Sequence, residues 1–185
     1  MKNKRSKPRV LLVFSSLTCL IAMHLPADGS ELPKEKMDAF LAMDFWQFDQ
    51  SDNGWRSLGR KPDVPEDYRS TAAVLDQYYE KKQGLKKTER CIVAFHAGQN
   101  YAFAGANDEA IVRLTKSIQD EQPDWNCYVR ATIAFLKKDM KTLTDERSKL
   151  SEISGHMNLD VVDRLIKNFD KSYFNAYCGI DEKKQ

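Results

Sequence analysis

The sequence predicts an all-α protein, built from antiparallel helical hairpins with flanking capping helices. Along most of the chain, apolar residues recur at intervals of three and four, which is the spacing of one face of a helix. Alternation at period two, which would indicate half-buried strands, is missing from the sequence. Glycine, proline, asparagine and aspartate separate the helical segments, so the connections are short. We therefore expect about seven helices in a single domain over residues 30–180.

Residues 1–29 have the composition of a secretory signal peptide. Five basic residues within positions 2–9 precede an uncharged apolar run of 14 residues, at positions 10–23. A membrane-spanning helix needs about 20 residues, so the run is short for a stable span. Small residues predict cleavage after Gly29, and cleavage after Ala27 is the other candidate; an uncleaved anchor is the alternative. We expect a periplasmic or secreted protein with no stable membrane insertion after cleavage.

The charge of the exported chain excludes one class of partner. Residues 1–30 hold five of the 29 basic and one of the 27 acidic residues, which leaves 24 basic against 26 acidic. A chain with this balance has no overall attraction for nucleic acid or for an anionic membrane. Nucleic acid is therefore not an expected partner.

Three cysteines follow the signal peptide: Cys91, Cys127 and Cys178. In an oxidising compartment one pair could form a disulfide, and the sequence does not choose the pair. Each could equally be a small buried apolar residue. Their spacing matches no metal-binding motif, so we expect no metal and no cofactor.

The segment 31–62 combines a short helix with an aromatic cluster. Apolar residues after Pro33 predict an amphipathic helix, and the cluster Phe45, Trp46 and Phe48 then runs into a turn at residues 50–54. Such a cluster could form a ligand-binding surface. We favour the other interpretation, in which it covers one open end of a helical core.

The next helix begins at Asp63, which is placed to cap it, with Pro65 in its first turn. It ends at Lys81 and Lys82, because cations followed by Gly84 form a helix stop signal. Its apolar face is formed by Tyr68, Ala72, Leu75 and Tyr79.

A central hairpin follows. Its helices run over residues 85–104 and 108–119, joined by a turn at residues 105–107 in which Asn107 is the expected cap. A fifth helix runs over residues 125–138, and Asp139 caps a sixth that ends at Gly155. An apolar stripe from Val161 to Tyr177 predicts one continuous seventh helix that starts at Asn158. Residues 181–185 form a charged tail that we expect to be frayed.

The central hairpin carries small residues where two helix axes would come together. Gly98, Ala102, Gly105 and Ala110 supply the small positions, and their spacing resembles the tetratricopeptide repeat, a 34-residue helix–turn–helix unit. The bulky positions one turn away are Phe95, Tyr101, Ile111 and Leu114. The chain departs from the repeat at Ala94, where the consensus has tryptophan.

A second, degenerate copy of the hairpin follows, so the resemblance covers roughly residues 86–153. Two repeats rarely form a stable domain alone, and the flanking helices are expected to cap them. The sequence segments at residues 96–99 and 131–135 are also similar to segments of small exported bacterial proteins without an assigned function. That similarity implies no activity.

The resemblance implies a peptide-binding groove lined by the first helix of each hairpin. In this register, the candidate partner-binding residues are Phe95, Gln99, Phe103, Asn126, Ile133 and Lys137. Few of these positions are polar, so a carboxylate clamp is not expected. A mostly apolar groove suits an apolar or helical partner, or it is covered by the first or last helix of the same chain; we favour the second.

No catalytic residue is predicted. The exported chain has two histidines, His96 and His156, and it lacks the HExxH, GxSxG, Walker A, GxGxxG and CxxC motifs. We expect His96 to be structural, although a closed pocket that places it beside an acid or a cysteine would favour an enzyme. The predicted function is a non-catalytic module that binds or scaffolds a protein or peptide. The alternative is a small hydrolase or lipid-binding protein.

Overall fold

The computed structural model describes residues 32–62 and 64–180. Within these residues the regular elements are nine α-helices and one 3₁₀ turn, with no strand, which confirms the all-α prediction. The helices are α1 (Lys34–Ala42), α2 (Phe45–Gln50), α3 (Pro65–Lys81), α4 (Lys87–Phe103), α5 (Asn107–Lys116), α6 (Pro123–Leu136), α7 (Met140–Glu152), α8 (Leu159–Lys167) and α9 (Tyr173–Cys178), and the 3₁₀ turn is Trp55–Ser57. The predicted signal peptide, the predicted cap at Asp63 and the predicted tail lie outside the described residues. No described helix is both long and apolar enough to span a membrane.

Helix α4 lies between two hydrophobic cores. It packs against α3 on one side and α5 on the other, and α6 and α7 form the second hairpin. Its Val93 and Ala97 belong to the amino-terminal core with α1, α2 and α3. Its Phe95 and Ala102 belong to the carboxyl-terminal core with α5 to α9. Because both faces of α4 are covered, ten of its residues are buried.

The aromatic cluster of α2 closes the amino-terminal core. The Phe48 ring stacks on Tyr78, with centroids 3.6 Å apart, and the Tyr78 hydroxyl donates to the Met43 carbonyl at 3.1 Å. Phe45 is also buried, whereas Trp46 is 55% exposed. Two of the three clustered aromatics are therefore core residues, as expected of a cluster that covers the end of the core.

Gly98 determines how closely α4 and α5 approach. A Cβ at this position would lie 2.8 Å from Leu114 Cγ, and 3.0 Å from both the Ala110 carbonyl oxygen and the Leu114 nitrogen. Two of these three atoms are backbone, so α5 could not make room without moving as a whole. The small residue expected at this crossing is thus required by the packing.

An ion pair at Asp76 ties α3 to this hairpin. The Arg113 guanidinium donates to both Asp76 carboxylate oxygens, at 2.7 and 2.8 Å, and the Tyr101 hydroxyl donates to the same carboxylate at 3.0 Å. Burial and this carboxylate raise the pKa of Tyr101 to about 12. Three consecutive helices are therefore linked through one partly buried acid.

Helix α5 differs from its prediction at both ends. It starts at Asn107, so the expected cap is instead the first helical residue, because the Ala110 N–H already bonds the Ala106 carbonyl at 3.0 Å. It stops at Lys116 because the Ser117 carbonyl accepts from the Trp125 indole N–H, at 2.8 Å. The predicted cap at Asp139 is confirmed, since its side chain accepts from the Thr142 N–H.

The predicted seventh helix is wrong as a continuous element. It is two helices, α8 and α9, joined by residues 168–172. The Asn168 side chain donates to the Arg164 carbonyl at 2.9 Å and competes with the next helical turn. The Ser172 hydroxyl then caps α9 by accepting from the Asn175 N–H.

The three described cysteines are unpaired. Cys91 and Cys127 are buried, as expected of small apolar residues, and Cys178 is exposed.

We expect Gly98→Ala to lower the free energy of unfolding by about 1–3 kcal/mol, the usual cost of overpacking, despite the better helix propensity of alanine. Urea unfolding followed by circular dichroism measures this. Gly105→Ala is the matched control: its φ of +73° disfavours alanine, but nothing lies within 4 Å of the added methyl group. A smaller loss at Gly98 than at Gly105, where about 1 kcal/mol is expected, would contradict the steric explanation.

Candidate functional site

The structure distributes the six predicted groove residues over different environments. Phe95 and Gln99 are buried, Phe103, Asn126 and Ile133 are half-buried, and Lys137 is exposed. Two of the six have clear structural roles. The Phe95 ring packs on Trp125 in the carboxyl-terminal core, with centroids 4.8 Å apart. The Asn126 side chain bonds both the N–H and the carbonyl of Gln119, at 2.9 and 2.6 Å, and so closes the connection between α5 and α6.

Helix α9 covers the α4 side of the predicted groove. The Phe103 ring centroid lies 5.3 Å from those of both Tyr173 and Tyr177. Tyr173 and Ala176 of α9 are buried in the carboxyl-terminal core. Of the two arrangements the sequence left open, the structure has the self-covered one at this position.

An open cleft of about 380 Å³ remains where α9 begins. Its walls combine aromatic rings from α4, α6 and α9 with the two prolines that precede or begin α3. Its lining includes Pro62, Pro65, Phe103, Phe135, Lys138, Lys171, Tyr173 and Phe174. The volume lies within the range of about 300–1,000 Å³ that is typical of ligand sites. Of the six predicted groove residues, only Phe103 lines this cleft.

Lys138 joins the two sides of the cleft. Its ammonium group donates to the Phe169 carbonyl at 2.6 Å and to the Lys171 carbonyl at 3.2 Å, and it lies 4.5 Å from the centre of the Phe135 ring. These contacts fix the connection between α8 and α9 against the end of α6. Sequence reasoning missed this site because it depends on the break between α8 and α9.

A second polar cluster is buried between α2 and α4. The Asp49 carboxylate and the His96 imidazole are 0% and 3% exposed, and His96 Nδ1 lies 2.7 Å from Asp49 Oδ1. The same oxygen accepts from the Trp55 indole N–H at 3.0 Å, and Gln50 donates to the other oxygen. Burial raises the pKa of the Asp49 carboxyl, but the His96 imidazole, the Arg56 guanidinium and the Trp55 N–H together lower that pKa below its usual value.

This cluster meets part of the requirement for general acid–base chemistry, since an acid orients a histidine. The rest of its surroundings are structural. The Trp55 and Phe95 rings flank His96 at 5.3 and 5.8 Å between centroids, and the Asn100 amide donates to the His96 carbonyl at 2.8 Å. The Cys91 thiol is directed elsewhere and lies 3.8 Å from the Ile118 carbonyl oxygen. His96 is thus beside an acid, but the pair is sealed within the amino-terminal half.

Within residues 32–62 and 64–180, no group of three or more histidine, cysteine, aspartate or glutamate side chains is arranged to hold a metal ion.

No protein-family model, curated protein sequence or solved structure matches this chain. The resemblance to the tetratricopeptide repeat thus depends on the small and bulky residues of the α4–α5 hairpin alone.

We expect Asp49→Ala to lower the free energy of unfolding by about 1–3 kcal/mol, because it leaves the buried Trp55 N–H and His96 Nδ1 without their hydrogen-bond partner. Chemical denaturation at pH 7 measures the loss. Asp170→Ala is the matched control, since this aspartate is exposed, and a change within about 0.5 kcal/mol is expected there. An Asp49→Ala variant as stable as the control would show that the pair contributes nothing.

The stabilisation of the fold by Asp49 should also decrease as the pH falls. Its folded-state pKa is lowered, so its stabilisation is complete above the unfolded value of about 3.9 and is lost as the pH falls through the folded value. Unfolding free energies of the wild type and Asp49→Ala, measured from pH 7 down to pH 2, should therefore begin to converge only as the pH falls below about 4. A gap that widens with acidification would contradict the assignment.

Proposed function

We propose that this protein is an exported, non-catalytic module that binds a peptide segment of a protein partner, and that the cleft at the start of α9 is the binding site. The observation that carries the proposal is the combination of open volume and aromatic walls at one end of α4 and α6. These are the two helices that the tetratricopeptide resemblance assigns to a peptide groove. Aromatic side chains supply large contact areas and are frequent energetic centres of peptide and protein interfaces.

The chemistry of the cleft favours a peptide with one large apolar side chain. The half-buried rings of Phe103 and Phe174 present apolar surface, and the buried Phe135 ring lies in the wall of the cleft. The lysine ammonium groups nearby already have partners, since Lys138 bonds two carbonyls and Lys171 donates to the Ile180 carbonyl at 2.9 Å. An apolar side chain of the peptide should therefore gain more binding free energy in this cleft than an acidic side chain would.

The Asp49–His96 pair supports the non-catalytic half of the proposal. Both groups are buried, and Trp55, which donates to Asp49, belongs to the amino-terminal core, so a substrate would have to open that core to reach the His96 ring. A pair in this setting fixes α2 and the 3₁₀ turn against α4. Neither the cleft nor this cluster requires a cofactor.

A peptide library displayed on phage, selected against the exported form, tests the proposal. We expect selected peptides to carry a large apolar residue, and their affinity to fall at least tenfold for Phe174→Ala, a typical loss at an aromatic anchor. Phe174 is half-buried at the cleft, where its ring lies 5.7 Å from Phe103.

Trp46→Ala is the matched control, because it removes an exposed aromatic residue from α2, which does not line the cleft. Titrations followed by fluorescence anisotropy give the affinities. A selection that yields no binder, or binders that respond to Trp46→Ala and not to Phe174→Ala, would reject the cleft as the site.

A further inference from the structure

We propose that α9 is the resident occupant of a helix-binding groove, and that a partner's amphipathic helix, with two aromatic residues one turn apart, displaces α9 and takes its place. The inference rests on the proposed function and deepens it, because it names the class of partner and the surface that the partner would cover. The groove is formed by the buried face of α4 around Gln99 and Phe103, and by Tyr128 of α6.

The contacts of α9 show what this groove accepts. Tyr173 and Tyr177 are four residues apart, so they project from one face of the helix, and both rings pack on Phe103. Ala176 lies between them in the sequence and is completely buried. A short helix with an aromatic pair at positions i and i+4, and a small residue between, reproduces this pattern. That is a helix-in-groove mode of recognition.

The fit of α9 is incomplete in its polar contacts. Among the described residues, four buried side-chain atoms have no hydrogen-bond partner, and three of them lie at α9 or on the helices beneath it: the Gln99 side-chain nitrogen, the Tyr128 hydroxyl and the Tyr173 hydroxyl. Gln99, Thr132 and Tyr128 lie close enough to the Tyr173 hydroxyl to affect its pKa, which burial raises, but none of them is placed for a proper hydrogen bond. Buried polar groups without partners are rare and costly in native proteins. A partner helix that offers an acceptor to Gln99 and Tyr128 would bind where α9 leaves them unpaired.

The short connection before α9 would allow this helix to detach from the groove. The helix has six residues and follows the connection over residues 168–172, and Gly179 ends it at a φ of +67°. Arg164 of α8 donates a hydrogen bond from Nε to the Tyr177 carbonyl, at 2.9 Å. No residue of α9 belongs to the amino-terminal core, so displacement of α9 leaves that core in place. In the carboxyl-terminal core it uncovers Phe135 of α6, whose ring lies 5.9 Å from that of Tyr173.

The open cleft provides the entry point. Residues 172–175, which begin α9, form one of its walls, while Ala102 and Phe103 form another. When α9 moves away, the cleft extends along α4 towards Gln99. The partner would thus first contact the half-buried rings of Phe103 and Phe174 and then replace α9, because both helices compete for the same groove.

The test uses the full exported chain and a fluorescent peptide with the sequence of residues 170–180, in which Cys178 is replaced by serine. In the chain, Tyr177→Ala weakens α9 but leaves Gln99, Phe103 and Tyr128 unchanged. We therefore expect this variant to bind the added peptide at least tenfold more tightly than the wild type, because its groove is vacant more often. Trp46→Ala is the matched control and should bind like the wild type.

A second variant should act in the opposite direction. Tyr173→Phe removes one unpartnered hydroxyl from α9 itself, so the resident helix should hold better and the added peptide should bind more weakly, by about threefold to tenfold. Both variants would be checked by circular dichroism. A folded Tyr177→Ala chain with unchanged affinity, or a Tyr173→Phe chain with higher affinity, would overturn the inference.

Hydrogen exchange of the wild-type chain is independent of any variant. Amides of α9 should exchange at least 100-fold faster than those in the middle of α4, since α9 opens locally. Equal protection of α9 and α4 would reject the displacement. If the α9 peptide does not bind while the affinity of library peptides still depends on Phe174, the displacement of α9 is rejected and the proposed use of the cleft stands. If the α9 peptide binds but the library gives no binding peptide, the proposed use of the cleft is rejected and the displacement of α9 stands.

Discussion

The contact between Gly98 and Leu114 is the constraint on which the rest of the molecule depends. It places α5 so close to α4 that its backbone touches the glycine, which leaves no room for a side chain. With α5 on one side and α3 on the other, α4 becomes a helix without a solvent-facing stripe. Its residues then belong to two cores. Val93 and Ala97 pack in the amino-terminal core, and Phe95 and Ala102 pack in the carboxyl-terminal core.

Local features were predictable from the sequence, because they depend on residues that are neighbours along the chain. The small residues around Gly98, the cap at Asp139 and the apolar spacing of α3 and α6 all act within one or two turns. The break at residues 168–172 was not predictable, since the apolar stripe from Val161 to Tyr177 is compatible with either one helix or two. The side chains of Asn168 and Ser172 decide between them. The pairing of Asp49 with His96 joins residues 47 positions apart, and no local pattern signals it.

The Asp49 cluster and the surface beneath α9 differ in how many of their buried polar groups have hydrogen-bond partners. In the amino-terminal half, one oxygen of Asp49 bonds both His96 and Trp55, and its other oxygen accepts from Gln50. In the carboxyl-terminal half, Tyr128 and Tyr173 have buried hydroxyls without partners. A satisfied network fixes one arrangement, whereas an unsatisfied one is relieved by any rearrangement that brings a partner or water. The Asp49 carboxylate is thus more firmly held than the hydroxyls beneath α9, although Arg56 Nη1 near Asp49 is also buried without a partner.

This difference bears on where function resides. Unpaired polar groups in a core lower stability, and they persist where the surrounding packing outweighs them. Here the packing beneath α9 is aromatic and non-directional, since Phe103 contacts Tyr173 and Tyr177 through ring edges and tilted faces. Such contacts tolerate the exchange of one aromatic helix for another, because ring packing depends less on exact geometry than hydrogen bonding does. This packing supports the proposal that the surface holding α9 in the free protein accepts a partner's helix in a complex.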